Sequence, residues 1–127
     1  MPAREELPGT LKRSPPKARR TWSKTHDRAV EEYGEGERSH RTAFAALKRS
    51  FEKVGDRWEA KRRTGPSDPR ATRTTQEKRE GKGETFGGVD FYGHSRAELL
   101  ERARKLGIRG RSRMRKEELA RAIARAQ

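Results

Sequence analysis

Apolar residues are sparse in this chain, and where they occur they mostly repeat at helical intervals. Ala18, Trp22, Ala29 and Tyr33 are spaced by four, seven and four, which puts them on one stripe of a helix. Ser14 is placed to cap that helix, and Pro15 suits its first position, where an N–H would have no intrahelical partner. Gly34 stops it. Ahead of it, Leu7-Pro8 and Leu11 suggest a short first turn. Beyond the Gly34-Glu35-Gly36-Glu37 loop, Phe44, Leu47, Phe51 and Val54 predict a second helix from about Ser39 to Val54. Gly55 ends it, and Trp58 folds back as a lid. Two amphipathic helices joined by a short loop make an antiparallel hairpin. Its aromatic stripe reads as core rather than as a binding surface. An island of fewer than 60 residues is marginal alone.

A second pair of helical patterns closes the chain. Ser95 followed by Glu98 fits a capping box, and Leu99, Leu100, Ala103 and Leu106 share one face. Gly107 takes the terminating position. A further helix starts near Arg115, with Leu119, Ala122, Ile123 and Ala126 as its apolar side. Each helix is too short to stand without the other. Between Lys61 and Thr85 there is no large apolar residue, only Gly65-Pro66-Ser67-Asp68-Pro69, a Thr-rich stretch and Gly81-Lys82-Gly83-Glu84. Such a stretch reads as a linker. The expected fold class is therefore all-α: a helical hairpin in residues 1–60, a disordered basic linker in 61–90, and a helix–extended–helix module in 91–127.

Composition supports small islands over one compact domain. Of the 127 residues, 28% are hydrophobic and 41% charged, too little apolar surface to offset the ordering entropy of the whole chain. The formal net charge is +14, from 33 Lys and Arg against 19 Asp and Glu. Residues 91–127 carry +7 of it, with eleven basic and four acidic residues. A balance of this sign favours polyanionic partners, nucleic acid or an anionic membrane surface. No apolar run approaches a membrane span and no leader pattern opens the chain, so a soluble, cytoplasmic protein is expected, compatible with nucleoid association. The absence of cysteine excludes disulfides and thiolate metal sites.

The charge is best organised between the last two helices, in Ile108-Arg109-Gly110-Arg111-Ser112-Arg113-Met114-Arg115. An extended backbone would send alternate side chains to opposite faces. Ile108, Gly110, Ser112 and Met114 would then face the helix pair, and Arg109, Arg111, Arg113 and Arg115 would form an outward row. Lys116 adds a cation in the first turn of the last helix. Cations there oppose the helix dipole, which implies a compensating anion, and guanidinium pairs bidentately with phosphate. These five residues are the candidate nucleic-acid-binding site. Phe91 and Tyr92, just before the module, are candidates for base stacking, with packing the preferred reading. Catalytic patterns are missing. His26, His40 and His94 lack ligand spacing, and Gly81-Lys82-Gly83-Glu84-Thr85 lacks the spacing of a phosphate loop. Neither an enzyme nor a cofactor or metal site is expected.

Two families resemble parts of the chain. The stretch from Ser95 to Leu119, with its Ala-Glu-Leu helix start, Leu-Gly-Ile, Gly-Arg-Ser-Arg-Met and Lys-Glu-Glu-Leu, resembles the Rho termination factor N-terminal domain, a helix–extended–helix module similar in shape to SAP domains. That resemblance implies nucleic-acid binding, without termination activity. Residues from about 5 to 60 resemble the ChaB family through Leu7-Pro8, Ala29-Val-Glu-Glu-Tyr33 and Ala43-Phe-Ala-Ala-Leu-Lys48 leading to Phe51. His26 stands where that family usually has Phe, and Ser14-Pro15-Pro16 replaces a Leu-Pro pair. The ChaB resemblance implies a regulator of cation transport or an adaptor with a protein partner, and similar two-part proteins carry the label of plasmid stabilisation. The expectation is a small nucleic-acid-binding accessory protein, with the ChaB-type role as the alternative.

Overall fold

The computed structural model describes residues 7–127; the first six residues of the expected N-terminal domain lie outside it. The chain divides into two compact units, Met1–Gly65 and Pro66–Gln127. The fold is helix-rich but not all-α, because a two-stranded sheet completes the first unit.

In the N-terminal unit, α1 (Gly9–Lys12) is the short turn suggested by Leu7-Pro8 and Leu11. The long helix α2 (Pro16–Tyr33) starts one residue later than expected, with Pro15 at the cap and Pro16 at the first position. Ser14 does not cap it. Its hydroxyl donates to the Thr10 carbonyl at 2.7 Å and accepts the Trp58 backbone N–H at 2.8 Å. Gly34 ends α2 at φ +78°, a conformation that favours glycine. Helix α3 (Glu37–Ser50) follows.

The expected continuation of α3 to Val54 is wrong. Residues Phe51–Val54 form β1, paired antiparallel with β2 (Arg57–Ala60), Phe51 opposite Ala60 and Val54 opposite Arg57. The turn is Gly55-Asp56, with a positive φ of 65° at Gly55 alone, the type II′ pattern that matches strand twist. Trp58 is thus a strand residue, not a loose lid. Lys61 and Gly65 close the end of α3. The Lys61 backbone N–H donates to Ser50, its ammonium to the Lys48 carbonyl, and the Gly65 N–H to Arg49. Leu11, Ala18, Trp22, Ala43, Leu47, Phe51 and Trp58 form the core, so Trp22 packs inward as expected, whereas Tyr33, expected on the same stripe, is 40% exposed with the Arg38 guanidinium over its ring.

The C-terminal unit begins well before residue 91. Residues 66–90, read from composition as linker, carry a 3-10 turn (Pro69–Thr72) and α4 (Thr75–Arg79). Asp68, 4% exposed, accepts from the Ala71 N–H and the Thr85 hydroxyl, both at 3.0 Å, and so ties the two ends of this segment together. Gly83 lies against the Arg70 backbone: an added Cβ would meet the Arg70 Cα at 2.7 Å. Phe86, Val89 and Phe91 then enter a core shared with Leu99, Ala103, Leu119, Ala120 and Ile123.

The last two helices are α5 (Arg96–Lys105) and α6 (Lys116–Ala126). Ser95 and Glu98 form the expected capping box. Gly107, φ +71°, donates to Arg104, and the Ile108 N–H donates to Ala103. Those two bonds are the Schellman pattern that satisfies the helix-end carbonyls. Leu106, expected on the apolar face, is 36% exposed, and Ala126 is exposed as well, while Ala120 is buried. No helix among the described residues is long and apolar enough to cross a membrane.

Candidate nucleic-acid interface

The connector between α5 and α6 is not extended. Gly110 turns the chain at φ +72°, and Arg111–Arg113 form a 3-10 turn. Met114 and Arg115 have extended backbone leading into α6. The strict inward–outward alternation therefore fails, although Ile108 and Met114 do pack against the core and Gly110 and Ser112 stay exposed.

What holds this turn is Arg96, at the first position of α5. Its Nε and Nη2 donate to the Met114 carbonyl at 3.0 and 2.8 Å, and Nη2 also donates to Ser112 at 3.0 Å. No sequence signal marks Arg96 for this, because the contact spans eighteen residues. Charge-assisted bonds of this kind are the stronger sort. The connector is thus fixed from below by one arginine, leaving others to face outward.

The five candidate cations differ in how far they are already engaged. Arg111 donates from Nη1 to the Ile108 carbonyl at 3.1 Å. Arg115 caps α6, and both its backbone N–H and its Nε donate to Glu118 at 3.1 Å. The Lys116 ammonium sits 4.4 Å from the centroid of the Phe91 ring, in cation–π range. Arg109 and Arg113 are exposed, and their side chains make no hydrogen bond or ion pair among the described residues; the Arg113 backbone N–H donates to the Gly110 carbonyl at 3.2 Å.

The dipole argument also changes. Glu117 and Glu118 occupy the first turn of α6, and the Glu118 carboxylate accepts the Arg115 N–H. That backbone bond, with the Arg115 guanidinium, holds the Glu118 carboxyl below the usual carboxylate range. The amino end of α6 already has a carboxylate, so the cations around it do not by themselves demand an external anion. The surface available to phosphate is made of guanidiniums on the turn, not of bare helix N–H groups.

Phe91 and Tyr92 separate cleanly. Phe91 is 8% exposed and packs at a tilt against Phe86 in the core, ring centroids 4.9 Å apart. Tyr92 is 48% exposed, touches Phe91 edge-on at 5.5 Å, and is held by its own N–H, which donates to the Ser67 carbonyl at 3.1 Å. Further along, Arg121 forms a two-point pair with Glu84 through Nε and Nη2, joining α6 to the upstream segment.

The structure is that of a small, strongly basic protein of two helix-rich units. Residues 7–61 match the family model of ChaB, and residues 95–127 match that of the Rho termination factor, N-terminal domain. Both families, in that order, are those the sequence resembles. No curated protein and no solved structure matches the chain. The segment 66–94, which supplies Phe86, Val89, Phe91 and Tyr92, lies outside both matches.

Proposed function

We propose that this is a non-enzymatic accessory protein that binds nucleic-acid phosphates through its C-terminal unit. The observation that carries the reading is the pair Arg109 and Arg113. Both are exposed and uncommitted among the described residues, on a turn whose carbonyls are tied down by Arg96. A guanidinium held out from a rigid turn suits two-point recognition of phosphate. The match to the Rho termination factor N-terminal domain over the same residues supports it. Arg115, its side chain 79% exposed, extends the same surface while keeping its bond to Glu118. Contacts of this sort fix position and supply affinity without reading base sequence.

The test is the salt dependence of binding. Arg109 and Arg113 are replaced by Ala in the full chain, because neither supports the turn, and fluorescence anisotropy is followed on duplex DNA across a salt series. Loss of two phosphate contacts lowers the slope of log affinity against log salt by about 1.8. A slope equal to that of the parent chain would remove these residues from the interface.

A further inference from the structure

We infer that Tyr92 is a base-stacking platform, and that the C-terminal unit therefore prefers single-stranded nucleic acid to duplex. This rests on the phosphate-binding reading above and specifies its ligand. Three observations converge. First, Tyr92 is one of the few exposed large apolar side chains of the chain, and its hydroxyl makes no hydrogen bond among the described residues, so packing does not account for the ring. Second, the ring is not loose. Its backbone is pinned to Ser67, and its position is set by edge contact with Phe91, which is itself buried. Third, Phe91 carries the Lys116 ammonium at 4.4 Å, which links the tyrosine to the basic start of α6 and to Arg115 and Arg113 next to it in the chain.

An exposed ring joined through Phe91 to the Lys116 cation is suited to hold a single strand, with bases on the π-face and phosphates on the basic groups at the start of α6. In duplex DNA the faces of the bases are stacked on one another, so the ring offers a duplex nothing. The two parts of the site thus make different contributions. The arginines act on any nucleic acid and are weakened by salt. Tyr92 acts on unpaired bases and is nearly insensitive to salt. Because residue 92 lies in the segment outside both family matches, this preference belongs to this chain's own extension of the module.

The test uses the full chain with three fluorescent probes of equal length: an unstructured single-stranded RNA, a single-stranded DNA and a duplex DNA. Each is titrated at two salt concentrations with the parent chain, Tyr92→Ala and Tyr92→Trp, with circular dichroism to confirm that each variant is folded. Tyr92→Ala is expected to weaken single-strand binding roughly tenfold with the salt slope unchanged, to leave duplex binding unchanged, and Tyr92→Trp to restore single-strand affinity. Equal losses on single strand and duplex, no loss on either, or failure of Trp to restore affinity would each overturn the platform. A parent chain that binds none of the three probes would instead overturn the phosphate reading itself, and the platform with it.

Discussion

The two units build a core from the same shortage of apolar residues, and they do it by different means. The N-terminal unit relies on a few large rings. Trp22 stacks on His26 at 4.6 Å, with His40 and Phe44 edge-on at 5.4 and 5.7 Å, and Phe44 meets Trp58 at 5.9 Å. That packing leaves the Trp22 Nε1 and both ring nitrogens of His26 buried without a hydrogen-bond partner among the described residues. The C-terminal unit has a mostly aliphatic helix pair too small to bury itself. It draws Phe86, Val89 and Phe91 from upstream, secures the intervening chain with capping bonds at Asp68 and Thr74, and closes the ends of α5 at Ser95 and Gly107. Rings give the first unit its area at the cost of unsatisfied polar atoms. The second unit satisfies its backbone with side chains and gains area by lengthening the module.

The comparison breaks most easily at Phe86, which is 1% exposed. Phe86→Ala should cost the C-terminal unit about 3–5 kcal/mol, the range for deleting a buried aromatic side chain. Trp22→Ala should do the same to the N-terminal unit. A loss of this size approaches the whole stability of a small domain. Amide hydrogen exchange on the full chain, resolved by segment, reads both. Phe86→Ala should strip protection from α5 and α6, and Trp22→Ala from α2 and α3. If α5 and α6 kept full protection without Phe86, residues 66–90 would be a tether after all.

How much of this was legible follows the kind of interaction involved. Helix α2, the Ser95–Glu98 box, the Gly107 stop and the burial of Leu99, Leu119 and Ile123 all follow from short spacings along the chain. The hairpin is hidden in the sequence because Phe51 and Val54 continue the helical period of Phe44 and Leu47 and also open a strand. The two-residue Gly55-Asp56 turn was the signal that could have decided it. The order in residues 66–90 leaves no hydrophobic period at all, since it comes from polar caps and from close backbone approach at Gly83. At the candidate interface the five cations were plain from charge. Their engagement was not, because it depends on Arg96, remote in sequence, and on Gly110, whose positive φ breaks an alternation that the residue types suggest. Glu117 and Glu118 are equally plain in the sequence, and they offset the cations at the helix end.

A finer cut through the same comparison uses two glycines of the upstream segment. Gly81 and Gly83 have nearly equal φ, +78° and +83°, so alanine at either incurs a similar left-handed strain of about 1–2 kcal/mol. Only Gly83 touches a neighbour. Its added Cβ would meet the Arg70 Cα at 2.7 Å and N at 2.9 Å, whereas nothing lies within 4 Å of the one at Gly81. Because Arg70 donates its N–H to Glu84 at 3.1 Å, that backbone cannot retreat freely. Gly83→Ala should therefore destabilise the unit by a further 1–3 kcal/mol or about that, the usual overpacking cost, relative to Gly81→Ala. Urea unfolding of the two variants measures the difference. Equal midpoints would mean that the segment does not pack this tightly.

The smallest expected effect concerns acid. Glu77, Glu84, Glu101 and Glu118, all in the C-terminal unit, are held below the usual carboxylate range. The causes are hydrogen bonds, from Arg121 to Glu84, from the Thr74 and Arg115 ends of their capping boxes to Glu77 and Glu118, and from Arg104 to Glu101. A carboxylate depressed in the folded state adds stability above its unfolded pKa, about 4.3, and loses it as pH falls through the lower folded value. The C-terminal unit should thus weaken below about pH 4. The effect is small because these groups face solvent and are screened by salt. Glu84→Gln removes the pair with Arg121, where the Arg121 side chain is 41% exposed. Its unfolding midpoint should lie slightly below the parent's near pH 7 and merge with it as both are taken below about pH 3. Curves that stayed parallel over that range would show that the Glu84–Arg121 pair makes no titrating contribution, leaving the backbone caps and the Phe86 core as what joins the upstream segment to the helix pair.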